Sequence, residues 1–118
     1  MKLIIASQRA QLIANGIAQR AATNNSTALD FYPVVKLFTP DAQATWLLSE
    51  LDPDDTDLAF GLCDLGLGEP ELGYVRISEL ESVRGPLGLP IERDLHFTAH
   101  KMISAYAAES RAERRIVT

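Results

Sequence analysis

The chain has 118 residues, 47% hydrophobic and 23% charged, a composition that fits one soluble domain with a single core and excludes a mostly disordered chain. Sixteen acids against eleven Lys and Arg give a formal charge of -5. The charge is uneven: Asp30 to Asp94 holds fourteen acids and four bases, whereas residues 1–29 and 95–118 are net positive, so the body repels nucleic acid and attracts basic surfaces.

No apolar run approaches the roughly 18 residues of a membrane span. The opening MKLIIAS turns polar at Ser7-Gln8-Arg9 before a signal core is complete, so a cytoplasmic protein is expected. The lone cysteine, Cys63, permits neither an internal disulfide nor a thiolate zinc site and reads as a small core residue.

In chain order, Ser7 caps a predicted helix to about Ala22, with Ala10, Ile13, Ala14, Ile17 and Ala21 as its apolar stripe and Asn15-Gly16 weakening its middle. Residues 23–30, TNNSTALD, read as a flexible loop. Val34 to Phe38 is a predicted strand. Thr39-Pro40 then opens a predicted helix to about Leu51, because Ala44, Leu47, Leu48 and Leu51 follow i, i+3, i+4, i+7 spacing. Leu58 to Leu65 reads as a central strand, and Gly73 to Ile77 as the next. A Ser78-Glu79-Leu80-Glu81 capping box starts a short helix that Gly85-Pro86 stops. Ile91 to Phe97 is a fourth strand, and a last helix starts near Lys101, its charged tail 109–118 frayed. The expectation is a single α+β domain over residues 1–118, with about four mostly antiparallel strands, three to four helices and the order α-β-α-β-β-α-β-α.

The loop Gly66 to Gly73 lacks the Lys-Ser/Thr pair and following helix of a phosphate cradle, so it reads as a hairpin turn. Asp52-Pro53-Asp54-Asp55-Thr56-Asp57 gathers oxygens a hard cation could use, but lacks the glycine and closing Glu of a calcium loop. A solvated connection explains it more simply. His96 and His100 are four apart in a predicted strand end and turn, where helical ligand spacing has no meaning. No metal or cofactor site is therefore expected outside one alternative. In that alternative Asp64, Glu92, Asp94 and His96 gather on a sheet face, hold a divalent metal and cleave phosphodiesters, with Lys36 or Arg76 stabilising charge. A sheet exposed on one side shows the same alternation without chemistry. The candidate binding residues are Trp46, Tyr74 and Arg76, types that anchor interfaces, with Glu69 and Glu71 in the adjoining turn. Gly85 to Pro90 is either an interaction loop or a lid over the core.

The motifs PVVKLFTPDAQATWLL, DPDDTDLAFGLCDLGLGEPELGYV and RGPLGLPIERDLHF resemble a family of small bacterial proteins filed as a domain of unknown function. The resemblance spans about Pro33 to Tyr106. It implies an accessory protein of plasmids, phages or integrative elements, and some members carry the label single-stranded DNA endonuclease. Glu69 stands where the family often has an aromatic residue, and Met102 where it often has proline. The leading expectation is a non-enzymatic protein that binds another protein through its acidic body, in the manner of a counter-defence inhibitor. The alternatives are the metal-dependent single-strand nuclease and a DNA-binding module using Arg111, Arg114 and Arg115 on phosphates.

Overall fold

In the computed structural model, which describes residues 2–118, the chain runs α1 (Ala6–Asn24), β1 (Val35–Phe38), β2 (Thr45–Asp52), β3 (Asp55–Asp64), β4 (Glu71–Arg76), α2 (Ile77–Ser82), β5 (Glu92–Arg93) and α3 (Ile103–Glu113). The strands form one sheet in the order β4-β3-β2-β1-β5, with every neighbouring pair antiparallel. The α+β class is as the sequence implies, with one more strand and one fewer helix than the expected order. Each face of the sheet carries a core. Val35, Leu37, Trp46, Leu48, Leu51 and Ala59 pack with Leu12 of α1 and with Ile77 and Leu80 of α2. On the other face Leu47 and Leu62 pack against Ile103, Tyr106 and Ala107 of α3.

The segment predicted as a helix from Thr39 to Leu51 is instead a turn and a strand. Thr39 does not cap a helix; its hydroxyl accepts the Ala44 amide at 2.9 Å and closes the β1–β2 hairpin. A short apolar run cannot distinguish a buried helix from a strand covered on both faces. Here a bulge deepens the ambiguity. Leu48 pairs with Gly61 and Glu50 with Phe60, so Ser49 is an extra residue in β2. The bulge returns Leu51 to the core that holds Leu48, giving a strand the three-residue spacing of a helix. Asp52 to Asp57 is correspondingly the tight β2–β3 hairpin around Pro53-Asp54, not a helix-to-strand connection.

Of β2 only Thr45 to Leu48 pairs with β1, which leaves Ser49 to Asp52 open along that edge. α1 lies there. The Asn15 side-chain amide donates to the Ser49 carbonyl at 2.9 Å, held in orientation by Gln11, which donates to its oxygen at 2.8 Å. Gly16 meets the Leu51 carbonyl so closely that a β-carbon would sit 1.8 Å from the oxygen. The buried face of α1 is therefore Leu12, Asn15 and Gly16. Of the predicted stripe only Ile13 packs partly against the core, while Ala10, Ala14 and Ala21 are exposed and Ile17 is 56% exposed. A strand edge presents carbonyls, so it selects a helix face that can donate or come close, and apolarity does not identify that face.

Two helix starts are capped by carboxylates remote in sequence. Asp57 accepts the Ser78 amide at 2.9 Å and its hydroxyl at 2.7 Å, so α2 is capped from β3 and not by the predicted Ser78 box. Asp30 does the same for α3 through the Ser104 amide and hydroxyl. The loop 23–30 is tied back, because the Gln19 side chain donates to the Leu29 carbonyl and accepts its amide, each at 2.9 Å. The expected fourth strand is shortened to two residues: the Asp94 amide still donates to the Lys36 carbonyl, but the Asp94 carboxylate then takes the His96 amide and turns the chain away. The tail 109–118 does not fray from the fold as predicted. Ser110 is fully buried, and Ile116 packs under α3 with its amide donated to Asp64 at 3.0 Å.

Candidate functional site

The register across the three strands on one side of the sheet aligns Trp46 with Cys63 and Cys63 with Glu71, a row on the face that also carries Val75. The β3–β4 turn folds over this row because Gly66 and Gly68 adopt φ of 80° and 83°, the left-handed conformation that glycine reaches without strain. Between them Leu67 is left 79% exposed. The result is a hollow of about 380 Å³: Trp46, Cys63 and Val75 form its floor, Leu65, Leu67 and Tyr74 border it, and Glu69 and Glu71 bring carboxylates to its rim. Trp46, a candidate binding residue within the segment predicted as a helix, is a strand residue only 4% exposed. Tyr74 is 69% exposed and stacks edge-on against Phe60, with ring centroids 5.1 Å apart. Burial pushes the Cys63 thiol up to about 11, so it lies in the hollow as a neutral apolar group.

The acids of the body divide into two populations. Asp52 and Asp54 are bound by Arg20, at 3.0 and 2.7 Å, and Asp55 and Asp57 by Arg76, at 3.0 and 3.6 Å. Hydrogen bonds from the Asp54 amide and Arg20 hold the Asp52 carboxyl below its usual range, and the Ser78 bonds do so for Asp57. Arg76, a candidate interface anchor, is thus a structural cation at the base of α2. Glu69, Glu71, Glu79 and Glu81 are exposed and form no ion pair with any described residue. All four lie in the stretch from the β3–β4 turn through α2, and that concentrates unneutralised charge on the β4 side of the molecule.

The four residues of the nuclease alternative are not brought together. Asp64 closes β3 while Glu92 lies on β5, three strand spacings away at about 4.8 Å each. Asp64 is 3% exposed, and its two oxygens accept the Gly66 and Ile116 amides, so it fastens the turn and the tail. Asp94 and His96 border a different hollow with Lys36 and His100, where Lys36 approaches Asp94 at 3.5 Å. Among the described residues no three His, Cys, Asp or Glu side chains are grouped to hold a metal ion. Arg114 and Arg115 flank a further hollow beside Asp64, Gly66 and Gly68, and Arg111 is exposed on α3. Leu87, in the Gly85–Pro90 loop, is exposed, and the loop is anchored by Asp41, which accepts the Leu87 amide at 2.8 Å. Sequence reasoning missed Leu65, Leu67 and Val75; leucines placed around turn glycines were the available sign.

Among the described residues no helix is long and apolar enough to cross a membrane. The family model described as "Protein of unknown function (DUF2958)" matches residues 3–117, and the chain belongs to that family. No curated protein and no solved structure matches it.

Proposed function

We propose that this DUF2958 family member is a non-enzymatic binding protein that captures a basic partner protein on the β4 side of its sheet. One observation carries the reading: an apolar, aromatic-bordered hollow adjoins the stretch Glu69 to Glu81, whose four exposed acids form no ion pair among the described residues. Exposed Leu65, Leu67 and Tyr74 supply apolar contact area, and Glu69 and Glu71 supply the charge that steers a cationic surface toward it. The same charge repels nucleic acid, and an acid-rich surface competes for channels that proteins build for phosphates. That suits an accessory protein of a mobile element acting on a nucleic-acid-handling complex of its host.

Affinity capture at low ionic strength, from a lysate of the cells that encode the protein, tests the reading. A partner held by the wild type and lost by Glu69→Lys/Glu71→Lys is expected. A partner held equally by both proteins would remove this surface from the account.

A further inference from the structure

We infer that the free edge of β4 receives an extended, basic segment of the partner as a sixth strand, whose neighbouring side chains enter two carboxylate-bearing hollows on opposite faces of the sheet. This rests on the binding role proposed above and specifies its mode.

β4 is the terminal strand on its side, so along Glu71 to Arg76 alternate residues point their backbone donors and acceptors away from β3, toward no other strand. Edge strands are ordinarily blunted by charge, proline or a bulge. The middle of β4, Leu72-Gly73-Tyr74-Val75, has none of these, and its pairing with β3 is continuous. Gly73 is informative. Its φ is not positive, and a β-carbon there would meet nothing within 4 Å. Neither conformation nor packing within this chain calls for glycine at 73, and a strand-interior glycine weakens the strand. Close approach of a second backbone is a setting in which such a glycine is favoured.

The second hollow, about 320 Å³, lies between α1 and the sheet and includes Gln19, Glu50, Phe60 and Tyr74. Glu50 pairs with Phe60 and Phe60 with Tyr74, a row on the face opposite Cys63 and Glu71. Glu50 is partly buried and has no ion pair among the described residues; Arg20, which also lines this hollow, is engaged by Asp52 and Asp54. Tyr74 borders both hollows, so they flank one edge. Consecutive side chains of a strand point to opposite faces, and a segment paired with β4 therefore addresses both hollows with adjacent residues. Each hollow joins a carboxylate to aromatic rings. That chemistry recognises a cationic side chain, with the ring taking its stem and its charge and the carboxylate completing the pair.

The test uses a fluorescent synthetic peptide of alternating Val and paired Arg residues, titrated at low ionic strength, with two derivatives N-methylated on complementary sets of alternate residues. Strand pairing predicts that one set weakens binding by about tenfold or more while the other leaves it nearly intact, because only one set of amides faces β4. Equal affinity of all three peptides overturns the sixth strand and leaves the acidic hollow standing. Weakening of the parent peptide by Glu69→Gln/Glu71→Gln checks that earlier reading separately. Glu50→Gln is expected to weaken the parent peptide about tenfold; unchanged affinity overturns the second hollow.

Discussion

Gly16 of α1 and Leu51 of β2 are in backbone contact, with room for no side chain: a β-carbon at 16 would stand 1.8 Å from the Leu51 oxygen and 3.4 Å from the Pro53 ring. In an isolated helix, glycine to alanine is worth about 1 kcal/mol of stabilisation. Here the sign reverses. Gly16→Ala is expected to destabilise the protein by roughly 2–3 kcal/mol, since the obstacle is backbone and cannot rotate away. Urea unfolding midpoints measure it, and an unchanged or raised midpoint contradicts the edge-docked helix.

Glu50 is held in the second hollow against its solvation. Burial raises its pKa, the neighbouring Asp52 charge adds to this, and the Gln19 hydrogen bond opposes it. The unfolded carboxyl ionises near 4.5 and the folded one above that, so stability falls as the pH rises from 4.5 through the folded value. Glu50→Gln is expected to raise the melting temperature at pH 7 and to leave it unchanged near pH 4. A gain in stability joined to a loss of peptide binding would identify Glu50 as a residue kept for recognition.

Asp57 behaves oppositely. Its pKa is lowered chiefly by the Ser78 hydroxyl, then by the Ser78 amide and Arg76, so its contribution is present above 3.8 and is lost as the pH falls through the folded value. Asp57→Ala is expected to lower the melting temperature at neutral pH, with the gap to wild type closing in acid. Ser78→Ala should lose part of the same increment. A melting temperature insensitive to Asp57→Ala would contradict capping of α2 from β3.

Asp64 is a fastener. Asp64→Asn leaves one carbonyl to serve two amides, that of Gly66 in the turn and the buried one of Ile116, and sets an NH₂ group against the other donor. A loss of about 1–3 kcal/mol is expected, with faster hydrogen exchange at Ile116. Wild-type stability in this variant would reopen a chemical role for the residue.

The parts of the fold legible in the sequence are those set by neighbours in the chain. β3, β4 and the glycine turn between them follow from alternation and turn chemistry. β2 has the spacing of a helix because Ser49 adds a residue and shifts the strand's parity. The docking face of α1 was hidden because it meets carbonyls at an edge, so Asn15 and Gly16 are contact residues where the sequence suggested weak points. The tail carries no local sign of its anchorage because the acceptor for Ile116 lies 52 positions earlier. The site shows the same division. Trp46, Glu69, Glu71 and Tyr74 each stand out by residue type, but their meeting around one hollow depends on the three-strand register.

Capture of a partner on the β4 side is open to site-specific photo-crosslinking in cells. A benzophenone amino acid replaces Tyr74, exposed between the two hollows, or Ala112, exposed on α3. A discrete protein adduct is expected from position 74, suppressed by Glu69→Lys/Glu71→Lys, and none from position 112. Adducts from position 112 with none from position 74 would contradict capture on the β4 side.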